Sequence, residues 1–226
     1  MYKNIEILNK EKFKKIKFSP LSDIDVAKNV GLIPLGFSEI LEMNFFAPIL
    51  IMGEQHKEFF AFTGISKDIT IFLEPNIYIP KFIQTYPFVT TTVKYIDNKY
   101  KNLLSIDYTD MVNQNAQFHI FDQYGNFQTE AKKKVDLLKE LTAQRDGSKK
   151  IIDELTKYNL LVKKDFKIKY GNEQKVILEN FYIIDRKKLI DLDDTILAKW
   201  AKKGWMSIID CHIKSLSNFH KVIRSK

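Results

Sequence analysis

His212 stands beside Cys211, the only cysteine of the chain, and both fall in a stretch with helical spacing. A thiol beside an imidazole could supply a nucleophile and its base, provided the two side chains meet. Sequence neighbours on a helix point in different directions, so this adjacency alone does not pair them. Cys211 is expected as a small buried hydrophobe. His212 has two readings: a ligand or acid–base group lining a cavity, or a core histidine satisfied by a neighbour. The second is simpler, because an isolated histidine seldom marks a site.

Carboxylates are the other candidates. Asp107 and Asp110 close a strand-like run and could hold a cation or act as acid and base. Asp191, Asp193 and Asp194 precede a helical pattern, where capping explains them more simply. Asp122-Gln123-Tyr124-Gly125-Asn126 lacks the alternate ligands and closing glutamate of a calcium loop and reads as a turn. The histidines His56, His119, His212 and His220 form no HExxH or HxH pair, so no metal site is expected. The eight glycines form neither GxGxxG nor GxxxxGK[ST], and no GxSxG elbow occurs. No cofactor is therefore implied and no catalytic residue is assigned.

The segment Tyr78-Ile79-Pro80-Lys81-Phe82-Ile83-Gln84-Thr85-Tyr86-Pro87-Phe88 is specified in most detail. Each proline fixes its own φ and pushes the residue before it towards an extended conformation. Between them there is room for at most two turns of helix. Tyr78, Tyr86 and Phe88 could form a recognition surface for a peptide or glycan. Packing of a short helix onto a sheet is the simpler use of the same rings. With Asp107 and His212, Tyr78 and Tyr86 make up the candidate ligand-binding set.

Alternating and β-branched runs predict the elements that must position these residues. Residues 1–45 read as irregular, with Gly31, Pro34 and Gly36 punctuating an extended stretch. Strands are expected at 47–52, 59–65, 69–73, 89–96 and 103–108, a meander of antiparallel strands. Turns fall at 53–56 and at Asp97-Asn98-Lys99. After Thr129 the period changes. A helix is expected to Arg145, with a break at Asp146-Gly147-Ser148. A second helix, capped by Ser148, then runs through Tyr158. Asn159 suits the αL residue that ends it. Residues 165–170 and 175–184 flank Gly171-Asn172 as a hairpin. The tail from Arg186 is helical, broken near Asp191 and Gly204, with Trp205, Ile208, Ile209, His212, Ile213, Leu216 and Phe219 on one broad face. The expected fold is one α+β domain over residues 1–226: an N-terminal antiparallel sheet, β-rich over 1–110, packed with a mainly helical half over 129–226 that carries one further hairpin.

Composition bounds the rest. The chain has 226 residues, 45% of them hydrophobic, with 17 Phe and 10 Tyr, enough to build a substantial core. The N-terminus has no apolar signal region, and the longest apolar run, Phe45–Met52, is too short to span a bilayer. A cytoplasmic location is expected, with non-classical export to the cell surface as the alternative. Residues 1–130 carry a net charge of −2 and residues 131–226 a net of +10. That basic half could meet nucleic acid, anionic lipid or an acidic partner. Only Arg145, Arg186 and Arg224 are arginines, and phosphate and base recognition favour arginine over lysine. A solubilising lysine bias is the simpler account, and nucleic acid is not expected as a partner.

Several stretches carry a resemblance to a known family. Val30-Gly31-Leu32-Ile33-Pro34-Leu35 is similar to a V-x-L-V-P-L element, and Ala47-Pro48-Ile49 to a Y-P-I core. Tyr78-Ile79-Pro80 through Tyr86-Pro87-Phe88 resembles a YIP…YPF segment, the most specific match. Leu103-Leu104-Ser105-Ile106-Asp107 resembles L-C-I-D, Phe121 to Gly125 resembles L-F-D-x-x-G, and Tyr158 to Leu161 resembles L-G-L-L. Asn180-Phe181-Tyr182-Ile183-Ile184-Asp185 with Lys188-Leu189 resembles G-F-Y-x-V-D-E-x-K-L. His212 to Phe219 resembles a closing H-L-x-S-L-x-N-F. These are the marks of the SapC family of bacteria. The chain departs from them in lacking a tryptophan before YIP, and in Asn180 and Arg186 where the family has glycine and an acid. The resemblance implies a non-enzymatic accessory or structural protein of the bacterial surface layer (S-layer), linked to serum resistance. It also implies a protein partner, an S-layer or secretion component. The alternative is an enzyme or cofactor-dependent modifier of a peptide, with a pocket formed near His212 and the Tyr78–Phe88 segment.

Overall fold

A computed structural model describes residues 2–19, 23–94, 100–109, 112–113, 115–170 and 173–223. The turn at Asp97-Asn98-Lys99, the tip at Gly171-Asn172, Asp110 and Arg224 lie outside the described residues.

Along the chain come β1 (Ile5–Ile7), α1 (Lys10–Phe13), β2 (Lys17–Phe18), α2 (Asp23–Ala27), β3 (Leu32–Pro34) and α3 (Phe37–Met43). Next are β4 (Ile49–Met52), β5 (Glu58–Phe62), β6 (Gly64–Ser66), β7 (Ile69–Thr70), a 3-10 turn (Ile71–Leu73), α4 (Lys81–Gln84), β8 (Phe88–Lys94) and β9 (Tyr100–Asp107). Then follow β10 (Val112–Asn113), β11 (Phe118–His119), α5 (Thr129–Lys157), β12 (Leu161–Tyr170) and β13 (Glu173–Ile184). The tail holds α6 (Arg186–Ile190), α7 (Asp194–Lys202), α8 (Trp205–Ser215) and α9 (Phe219–Val222). The fold is α+β with antiparallel sheets, as the periodicities predict.

The chain forms two compact units. The first comprises residues 1–29 and 81–141. Its sheets have the orders β1-β9-β8 and β10-β2-β11. Phe13, Phe18, Phe88, Ile106, Ile120 and Val135 share its core. The second comprises residues 30–80 and 142–226. Its main sheet has the order β12-β13-β4-β5-β3, so the late hairpin and the early strands form a single sheet. Ile33, Ile40, Leu50, Phe59, Leu155 and Trp200 are buried there.

Three local expectations are corrected. Residues 1–45 are not irregular: among the described residues they fold as three short strands and three short helices. Elements this short fall below the window in which a period can be counted. The single strand expected at 59–65 breaks at Thr63, and only the first two residues of 69–73 are strand. The Thr70 hydroxyl donates to the Thr63 carbonyl and accepts from the amide of Phe72, which turns the chain into the 3-10 segment.

The third correction is the largest. Helix α5 runs unbroken from Thr129 to Lys157, through Asp146-Gly147-Ser148. Ser148 does not cap a new helix; its hydroxyl donates to the Gln144 carbonyl one turn back, and the residue is buried. At Gly147 an added Cβ would lie 3.1 Å from the Phe37 ring, so the glycine allows a close approach and makes no break. Asn159, with φ 54°, ends the helix as expected, and the Leu160 amide returns to the Leu155 carbonyl.

Gly147→Ala tests the continuous helix. Alanine gains about 1 kcal/mol of helix propensity over glycine, and the half-exposed Phe37 ring can yield by tenths of an ångström. Urea unfolding is expected to show unchanged or raised stability. A loss above about 1 kcal/mol would mean that the Phe37 ring cannot yield and that close approach outweighs the helix propensity gained.

Candidate functional site

Within the first unit, Asp107 and Tyr86 are brought together. Asp107 closes β9 and is 0% exposed. Its Oδ1 accepts from the backbone amides of Lys3 at 3.0 Å and Asn4 at 2.8 Å. Its Oδ2 accepts from the Tyr86 hydroxyl at 3.0 Å. The Tyr108 amide donates to the Asn4 carbonyl, and β1 then pairs with β9 from Ile5 against Asp107. The carboxylate thus anchors the entry of the edge strand. Burial, together with the charge of Asp107, raises the Tyr86 hydroxyl above its ordinary value, so it remains a protonated donor at neutral pH. Burial also raises the nearby Tyr2 hydroxyl, which donates to the Phe88 carbonyl at 3.2 Å. With three donors on it and no exposure, the carboxylate has the surroundings of a structural acceptor, not of a general base.

Tyr78 belongs to the second unit. Its hydroxyl donates to Glu39 Oε1 at 3.1 Å, and the Gly36 amide donates to Oε2 at 2.9 Å. Glu39 is 1% exposed and reaches back from the third position of α3 to the amide of the N-cap residue Gly36, the glutamate half of a capping box. Gly36 is required by space: a Cβ there would lie 2.4 Å from Gln144 Oε1 and 2.7 Å from Gln144 Cβ.

His212 is 0% exposed on the inner face of α8. Its Nε2 accepts from the Ile184 amide at 3.1 Å. One turn on, Ser215 Oγ accepts from the Ile49 amide at 2.9 Å and donates to the His212 carbonyl at 2.6 Å. A further turn on, Asn218 Nδ2 donates to the Asn44 carbonyl at 2.7 Å. The register explains the first two bonds. β13 meets β4 at Tyr182 opposite Ile51, and that register places Ile184 opposite Ile49. The amides of Ile184 and Ile49 would next bond across the two strands. Instead, both donate to side chains of α8.

An imidazole accepting at Nε2 carries its proton on Nδ1 when neutral. Nδ1 has no partner at hydrogen-bond geometry, only a loose approach to the Ile49 backbone. Burial pushes the ring down to about 4, and the Ile49 backbone pulls it partly back. His212 is therefore neutral at physiological pH, an acceptor built into the sheet.

The remaining candidates separate. Cys211 is half-buried, not buried as expected, because it lies off the inner face that carries His212. Burial chiefly raises its thiol, with the charge of Asp210 adding, and His212 is turned to Ile184. Asp193 caps α7 by accepting from the Thr195 amide at 2.8 Å. Asp122 accepts from the amides of Tyr124 and Asn126 in a turn where Gly125 has φ 80°. Among the described residues no group of three His, Cys, Asp or Glu side chains could hold a metal ion, and no helix is long and apolar enough to cross a membrane. Sequence reasoning did not single out Glu39, Ser215 or Asn218. The signal for the last two was present, as polar residues recurring every third position on an otherwise apolar helix face.

These features define an α+β protein in which Glu39, Asp107, His212, Ser215 and Asn218, all buried, are committed to its own backbone and to neighbouring side chains. The chain belongs to the SapC family, whose model matches residues 8–222, nearly the whole chain and parts of both units. No curated protein and no solved structure matches it.

Two measurements check the site. Asp107→Ala strands the buried Tyr86 hydroxyl and takes the acceptor from two part-buried amides, so chemical denaturation is expected to show a loss of roughly 2 kcal/mol, with Asp107→Asn in between. A loss below about 1 kcal/mol for the alanine variant would remove Asp107 from its anchoring role. His212 binds a proton more weakly folded, at about 4, than its ordinary 6.5. Its contribution is therefore complete above pH 6.5 and is lost as pH falls towards 4, a total of roughly 3 kcal/mol. In His212→Gln, whose amide oxygen can still accept from Ile184, this share of the acid slope should vanish. An unchanged slope would mean that the ring is not held neutral.

Proposed function

We propose that this protein is a non-enzymatic accessory or structural protein of the bacterial surface layer, acting through protein–protein contact, with serum resistance as the cellular consequence. Family membership over nearly the whole chain supports the context. One observation carries the non-enzymatic part. Asp107, His212, Ser215 and Asn218, all within family-like motifs, end on backbone groups of neighbouring elements. Residues kept to complete sheets and anchor strands serve a scaffold whose outer surface does the work.

The partner on this reading is an S-layer subunit or a component of its secretion. The place of action is the cytoplasmic side of that export, or the surface itself after non-classical export. A peptide-modifying enzyme using His212 would need a path from solvent to the imidazole, and its 0% exposure weighs against that use.

Affinity purification from the native cell after brief cross-linking, with mass spectrometry of the eluate, tests the reading. An S-layer subunit or secretion component is expected among the cross-linked partners, and deletion of the gene should thin the surface array. An intact array together with a small-molecule adduct or product on the purified chain would overturn it.

A further inference from the structure

Helices α6 and α8 leave between them an open apolar cleft of about 380 Å³ in the second unit. Met206, Ile209 and Ile213 lie on α8 at steps of three and four, the spacing with which one helix seats another. Ile209 is buried at the floor, Met206 and Ile213 are half-buried, and α6 adds Leu189 and Ile190. Ile190 is 69% exposed, the most exposed aliphatic side chain of the described residues. Ile190 extends the apolar lining of Leu189, Met206, Ile209 and Ile213 outward, so that cleft and rim form one contiguous apolar patch.

The rim determines the charge of the occupant. Arg186 lines the cleft and, among the described residues, forms no ion pair. The one carboxylate of the lining, Asp210, is already held by Lys214 at 2.6 Å. Lys187, Lys188, Lys202 and Lys203 are exposed on the flanking helical segments, Lys188 reaching the Asn159 carbonyl and Lys203 lying over the Trp205 ring. Of the acids on the same segments, Asp185 holds the first amides of α6 and Asp193 caps α7, while Asp191 and Asp194 are exposed, so Arg186 is the cation that the lining itself presents. An open cleft with an apolar seam for side chains and the Arg186 guanidinium at its edge suits one class of partner.

We infer that the α6/α8 cleft is a docking groove for an amphipathic helix of a partner protein, apolar on one face and acidic along its flanks. The helix seats its large apolar side chains, spaced three and four apart, against Met206, Ile209 and Ile213. An acidic residue on its flank meets the Arg186 guanidinium, whose planar fork suits a carboxylate. The lysines around the groove speed encounter and repel basic helices. This inference rests on the accessory reading and names the chemistry of its partner.

The probe is a labelled synthetic peptide of about three heptads, leucine at the a and d positions and glutamate on the flanks, titrated into the full chain with anisotropy as the readout. Two controls are a peptide with lysine flanks and one with serine at a and d. The acidic amphipathic peptide should bind, and both controls should bind at least about tenfold more weakly. Ile190→Asp and Arg186→Glu alter exposed side chains and should leave the fold intact. The first should weaken binding about tenfold or more, and the second should reverse the preference towards the lysine-flanked peptide. Equal binding of acidic and basic peptides, or indifference to both variants, overturns the inference. So does a dimer of the chain that Ile190→Asp dissolves, which would assign the groove to a second copy. If the Ile190→Asp chain recovers its S-layer or secretion partner undiminished from cells, the accessory reading stands and the groove falls.

Discussion

Two backbone amides set the terms for the second unit. Ile184 and Ile49 face one another across β13 and β4, yet their amides donate to side chains of α8. A buried amide without a partner costs about 1–3 kcal/mol, so opening a seam in a five-stranded sheet needs two acceptors at that depth. His212 and Ser215 supply them, one turn apart on α8, and Asn218 extends the same line to the Asn44 carbonyl. The position of α8 is thereby fixed by direction as well as by area. Apolar packing of Ile208 and Ile209 would tolerate small slides along the sheet, whereas three hydrogen bonds to named backbone atoms do not.

The first unit solves a different problem by the same means. Its three-stranded sheet has a short edge strand, β1, whose pairing covers only Ile5 to Ile7. Three residues of ladder are marginal for holding an edge strand. Asp107 lengthens the attachment by taking the amides of Lys3 and Asn4, and Tyr86 satisfies the other carboxylate oxygen. Glu39 plays the corresponding part for α3, with Tyr78 on its second oxygen. In each case a side chain that invites a chemical interpretation serves to complete a hydrogen-bond pattern that local structure leaves unfinished.

Much of this architecture was legible in the sequence. The change of period after Thr129, the hairpin strands around residue 170, Asn159 as an αL terminator and the short helix between Pro80 and Pro87 all follow from local rules. The errors have a common cause. At Gly147 a helix-weakening residue suggested a break, but the reason for the glycine is Phe37, far away in sequence. In residues 1–45 the elements owe their existence to pairing with β5, β9, β10 and β11, which no local window contains. The roles of Asp107 and His212 were out of reach for the same reason. Their partners lie at Lys3 and Asn4, and at Ile184, and only the folded register brings them there.

The path of the chain has a consequence for inheritance. It passes between the two units after residues 29, 80 and 141, and α5 continues through the last of these passages without a turn. Neither unit is one stretch of gene. Any single cut in the coding sequence divides at least one unit, and neither unit can be copied, lost or exchanged as one uninterrupted cassette. The segment from Tyr78 to Phe88, which marks the family most sharply, spans one of these passages. A lineage carrying this fold must keep or lose it whole, and a profile that runs from residue 8 to residue 222 without division is the form such a history takes.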